Sequence, residues 1–150
     1  MRAAAAVLLA VLLATAAGCG SDQRDGDYVK ALNRAQAGLA QRFGRLEARI
    51  TPTSSAAQDA RTLLAYEAAV RDTVATLRAV DPPGALAPLH RRFIGEVADY
   101  GAALRTARGR LKGDDPQAIL AAQGRLRTAV AQTGTRLNAT IRAINRKLQG

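Results

Sequence analysis

Residues Leu86 to Leu111 read LAPLHRRFIGEVADYGAALRTARGRL, with apolar or small side chains recurring at Leu86, Leu89, Phe93, Val97, Tyr100, Leu104, Ala107 and Leu111. Every step is three or four residues. That spacing holds side chains on one face of a 3.6-residue helix and draws a heptad-like seam along it. Pro88 falls in the first turn, where a missing backbone N–H has no cost. Lys112-Gly113 supplies a cation and a glycine suited to the C-terminal end. The stretch predicts a helix at about 85–112, and so long an apolar seam needs other helices to cover it.

The flanking segments supply them. Asp114-Asp115-Pro116 puts carboxylates and a proline where a helix begins, opening an element at about 115–148. Its stripe is Ile119, Gln123, Leu126, Val130, Thr133, Leu137, Ile141, Ile144 and Leu148. Gly124 and Gly134 interrupt it at ~1 kcal/mol each relative to alanine, either for close approach of a neighbour or for a bend. Upstream, Asp81-Pro82-Pro83-Gly84 breaks the chain after a helix at about 55–80. That helix opens on the capping box Ser55-Ala56-Ala57-Gln58 and carries Leu63, Tyr66, Val70, Val74 (or Thr73) and Leu77, flanked by Leu64 and Val80. Glu67 and Arg71 sit at i,i+4 as an expected surface pair. A first helix at about 27–50 bears Val29, Leu32, Gln36 or Ala35, Leu39, Phe43, Leu46 and Ile50, capped by Asp27 and ended by Thr51-Pro52. Alternation every second residue, which a strand requires, competes nowhere. The expected fold is all-α: an antiparallel up-down-up-down four-helix bundle over 27–150, joined by short turns and following a cleaved signal peptide.

The opening of the chain has a different character. Residues 1–21 read MRAAAAVLLAVLLATAAGCGS: one cation at Arg2, an apolar run from Ala3 to Ala17, then Gly18 and Cys19. The run is shorter than the ~20 residues a membrane-spanning helix needs but suits a secretory segment. Cys19 is the only cysteine, so it has no partner for an internal disulfide. Ala16-Ala17-Gly18-Cys19 resembles the lipobox of bacterial lipoproteins, with Ala16 where leucine is common. That resemblance implies cleavage between Gly18 and Cys19 and a covalent diacylglycerol, with further acylation such as palmitate, on the cysteine. Residues 1–18 would then be the signal peptide, and 19–26, GSDQRDG after the lipidated cysteine, a polar tether. More loosely, Leu77-Arg78-Ala79-Val80-Asp81-Pro82-Pro83 leading to Leu89-His90-Arg91 is similar to segments of small alanine- and arginine-rich lipoproteins of high-GC bacteria. Those proteins have an uncharacterised helical part and lend no catalytic residues.

Charge is the other strong signal. The chain carries 22 basic and 12 acidic residues, a formal charge of +10. No acid follows Asp115, while Arg125, Arg127, Arg136, Arg142, Arg146 and Lys147 all lie in the last helix and outside its apolar stripe. Of these, Arg125, Arg136, Arg142, Arg146 and Lys147 are candidates for contact with an anionic lipid or wall polymer; a solvated arginine-rich face is the plainer alternative. Nucleic acid is an unexpected partner, because no aromatics interleave with the basic residues and no binding motif is present. His90, the single histidine, with Arg91 and Arg92 forms a candidate anion site, although a structural histidine between helices explains it more simply. No second histidine or Glu-x-x-His pattern accompanies it, so no metal site and no cofactor beyond the acyl lipid is expected. Scattered acids, including Glu96 and Asp99 read as solvated partners of nearby arginines, offer no general acid–base pair, and no catalytic residue is assigned.

These features point to a non-enzymatic, lipid-anchored protein on the extracytoplasmic side of a membrane, meeting an envelope protein or an anionic surface. The alternative is a ligand-binding or sensory helical module with a small-molecule site near His90. Replacement of Cys19 by serine is expected to move the protein from the membrane to the soluble fraction. Unchanged fractionation of that variant would refute the anchor.

Overall fold

The structure is a computed structural model that describes residues 22–49, 51, 54–110 and 116–149. The segment bearing Gly18 and Cys19 lies outside the described residues. Four α-helices account for nearly all of the described residues: α1 Asp22–Glu47, α2 Ala56–Arg78, α3 Ala87–Arg110 and α4 Pro116–Gln149, with a short 3₁₀ turn, η1, at Gly84–Leu86. The protein is an all-α helical bundle.

The seam on α3 organises the packing. Leu86, Phe93, Val97, Tyr100, Leu104 and Ala107 are buried, facing Leu63, Tyr66, Val70, Val74 and Leu77 of α2 in one continuous core. Val130, Leu137, Ile141 and Ile144 of α4 join it, as do Leu32, Leu39, Phe43 and Leu46 of α1. α3 packs extensively on both α2 and α4, and α1 packs mainly on α2. Direct backbone approach between α1 and α4 is at most marginal among the described residues. Contacts between consecutive helices join the later part of one to the earlier part of the other. Phe43 meets Tyr66 with ring centroids 4.6 Å apart at 89°, and Glu96 of α3 meets Thr140 of α4. At the aromatic contact the Tyr66 hydroxyl donates to the Phe43 carbonyl at 3.3 Å. Burial, reinforced by Glu47, pushes that phenol up to about 12.

Several sequence expectations are corrected in detail. α1 begins at Asp22, so the part of the supposed tether from Asp22 to Gly26 is helical. Carboxylates at Asp25 and Asp27 favour the positive end of a helix, and a buried Tyr28 fastens the second turn to α3, which offsets the glycine. α1 ends at Glu47, where Arg49 N–H closes a turn onto the Leu46 carbonyl at 3.0 Å. Of the two alternatives left open in its stripe, Ala35 is the buried one and Gln36 is half-buried. The capping box of α2 forms as expected, Gln58 Oε1 accepting from the Ser55 N–H at 2.8 Å. Glu67, however, does not pair with Arg71: it crosses to Arg108 and Arg105 of α3. Leu64 is 51 % exposed.

Gly124 faces open space, so it serves no close approach, whereas a Cβ at Gly101 would lie 3.2 Å from Val70 Cγ1 at the α2–α3 contact. Gly124→Ala is therefore expected to stabilise the protein by about 0.5–1 kcal/mol. Gly101→Ala, with the same propensity gain opposed by crowding of Val70, should gain less or lose stability. Urea unfolding of the two variants measures the difference. On the same assay Leu77→Ala, at a fully buried position, should cost about 2–5 kcal/mol and Leu64→Ala well under 1 kcal/mol.

Candidate functional site

Two regions carry the polar chemistry: the turn joining α2 to α3, and the outer face of α4. At the turn, His90 occupies the first part of α3 and is 3 % exposed. Its Nε2 lies 3.0 Å from the Leu77 carbonyl at the end of α2, and its Nδ1 lies 3.2 Å from the Tyr28 hydroxyl of α1. A carbonyl only accepts, so Nε2 carries the proton and Nδ1 accepts from Tyr28. The two rings meet edge to face, centroids 5.5 Å apart. Burial lowers the His90 pKa below its ordinary 6.5, against the opposing pull of the Leu77 carbonyl. Burial likewise pushes Tyr28 up to about 12. His90 is thus a neutral strut between three helices, with both nitrogens already engaged.

Above it lies an open depression of ≈ 660 Å³, bordered by Arg78, Val80, Asp81, Pro82, Arg91 and Ile94 among others. The adjacent residues His90, Arg91 and Arg92 do not converge. Arg91 lines the depression, whereas Arg92 Nε donates to Glu96 Oε1 at 3.0 Å. Arg78, not singled out in the sequence, shares the depression with Arg91. Neither of these two guanidiniums pairs with an acid among the described residues. Asp81 on the rim is engaged by Arg24 of α1 at 3.3 Å.

Glu96, expected to be a solvated partner of nearby arginines, is placed differently. It is 6 % exposed, not solvated. Its Oε1 accepts from Thr140 Oγ1 of α4 at 3.0 Å as well as from Arg92, while Oε2 is buried with no hydrogen-bond partner among the described residues. Asp99, one turn on, is exposed and meets Arg136 of α4 at 3.5 Å. Spacing held the available signal: Glu96 lies three residues after Phe93, on the flank of the seam, and Thr133 and Thr140 are seven apart on α4.

On α4, Arg125, Arg127, Arg136, Arg142, Arg146 and Lys147 are all exposed. Only Arg136 has an acidic partner among the described residues. Among the described residues no three histidine, cysteine, aspartate or glutamate side chains gather in a group that could hold a metal, and no helix is long and apolar enough to cross a membrane. Compared with protein-family models, curated proteins and solved structures, the chain matches none.

The depressed pKa of His90 fixes a pH dependence. Between the folded pKa and 6.5 the unfolded chain takes up a proton that the folded chain refuses. Its contribution to stability is therefore full above 6.5, falls as pH drops through that window, and is flat below the folded pKa. Urea midpoints measured between pH 8 and pH 5 should show this loss, and a His90→Gln variant should lack it. Tyr28→Phe, which removes the hydroxyl from Nδ1, should cost about 0.5–1.5 kcal/mol.

Proposed function

We propose that the protein is a non-enzymatic lipoprotein of the cell envelope, held at a membrane by acyl chains on Cys19, whose helical bundle presents α4 to an anionic surface. The up-down-up-down order expected from the short turns is the topology that the cross-helix contacts favour. The observation that carries the reading is the cationic face of α4. This helix spans 34 residues, contains no acid, and leaves Arg125, Arg127, Arg142, Arg146 and Lys147 unpaired among the described residues.

Position supports it. Thr140 meets Glu96 in the first half of α3, and α4 also touches η1. Arg142, Arg146 and Lys147 therefore lie toward the end of the bundle where α1 begins, since Arg24 and Tyr28 contact that same α2–α3 region. An anchor at Cys19 would bring this end nearest the headgroups, where each basic residue contributes ~1 kcal/mol. Arginine suits phosphate oxygens better than lysine does, through its fixed fork of donors.

Sedimentation with phosphatidylglycerol vesicles tests the electrostatic part. In a Cys19→Ser background, so that acyl insertion does not mask it, the protein should bind at low salt and release as salt screens the contact. Combined replacement of Arg142, Arg146 and Lys147 by glutamine should weaken binding roughly hundred-fold. Equal binding to neutral phosphatidylcholine vesicles, or no effect of the triple replacement, would refute the role of α4.

A further inference from the structure

We propose that the depression between the end of α2 and the start of α3 is a phosphate-ester site, in which Arg78 and Arg91 hold the phosphate while Val80, Pro82 and Ile94 seat the apolar body attached to it. The proposal deepens the reading of the protein as a membrane-surface lipoprotein, and rests on it for the source of the ligand, a lipid headgroup, but not for the site itself.

Three observations converge. First, the depression is lined by two arginines from different helices, Arg78 closing α2 and Arg91 opening α3, and neither has an acidic partner among the described residues. The one acid on the rim, Asp81, already faces the Arg24 guanidinium at 3.3 Å. The local balance thus leaves two unmatched cations on one depression, and a guanidinium's fork of donors suits phosphate oxygens. Second, the remaining wall is apolar, and the volume of ≈ 660 Å³ is within the range of small-molecule sites. His90 beneath is neutral and committed to Leu77 and Tyr28, so it supplies shape and no charge. A bare inorganic anion would leave Val80, Pro82 and Ile94 unused, whereas the acyl esters next to the phosphate of a phosphoglyceride would cover them. Third, the site borders the point where the chain enters the bundle. Arg24 touches its rim, and only four residues lie between Arg24 and Cys19, two of them already in α1, a reach of at most ~14 Å. A headgroup of the anchoring membrane is therefore within range.

The full chain in neutral detergent micelles, labelled for observation of backbone amides and arginine Nε–H groups, is titrated with glycerol 3-phosphate. Separately, its binding to phosphatidylglycerol and phosphatidylcholine vesicles is measured. Glycerol 3-phosphate should shift the Arg78 and Arg91 Nε–H signals saturably. Arg78→Gln combined with Arg91→Gln should weaken that binding at least ten-fold, and an Arg125→Gln, Arg127→Gln pair should change it less than two-fold. Both pairs are exposed, and unchanged melting temperatures verify folding. A similar loss with phosphatidylglycerol vesicles supports the lipid headgroup as the source. Saturable glycerol 3-phosphate binding with vesicle binding untouched by the Arg78 and Arg91 replacements overturns that source and leaves a soluble phosphate ester. Shifts that spread over all exposed arginines without saturation, or wild-type affinity in the Arg78 and Arg91 variant, overturn the site. Absence of acyl chains on Cys19 would refute the anchor alone, because the glycerol 3-phosphate titration reads the site without it.

Discussion

Burial of the α3 seam is the constraint on which the rest of the structure depends. α3 is packed along both flanks, by α2 through contacts such as Gly101 against Val70 and by α4 through the Glu96–Thr140 region. A helix covered on two sides cannot keep its polar residues on one wide solvated face. That is why Glu96, expected to be solvated, ends up inside, and why His90 is buried between helices. Apolar burial at roughly 25 cal/mol per Å² drives such packing without selecting a register. The polar groups on the flanks of α3 help to select one.

Those groups do so in two ways. At one end, His90 accepts from α1 and donates to α2, so a single imidazole ties together three helices with its hydrogen-bonding capacity used up. Further along, Glu96 receives Thr140 from α4 and Arg92 from its own helix, yet keeps one oxygen buried without a partner among the described residues. A group left in that state is costly, and an apolar residue of similar volume there could well be neutral or stabilising. What the carboxylate provides is a directional contact between α3 and α4 at Thr140.

Much of this was legible in the sequence, for a definite reason. Steps of three and four along Leu86 to Ala107, Leu63 to Leu77 and Val130 to Ile144 follow from helix geometry alone, and the structure buries those residues, Leu89 only in part. The capping box at Ser55 and Gln58 is equally local and forms as read. Features that depend on a neighbour were not legible. The start of α1 looked like a tether because its polarity and Gly26 hide the anchoring of Tyr28 on a residue 62 positions away. Glu67 had an ideal local partner in Arg71 but reaches Arg108, 41 positions on. The candidate anion site failed as a trio for a simpler reason: consecutive helical residues point ~100° apart, so His90, Arg91 and Arg92 could not converge. Arg78 escaped notice because a cation in the last turn of a helix is already explained by the helix dipole.

The marginal approach of α1 to α4 has a mechanical consequence. Any pull on a chain fastened at its beginning is transmitted into α1 at Asp22, beside the Tyr28–His90 contact. α1 rests mainly on α2, so tension would strip it from α2 starting at its first turn, while α3 and α4 stay packed together. The bundle would yield to force gradually from one side, the first helix acting as a shock absorber for the rest.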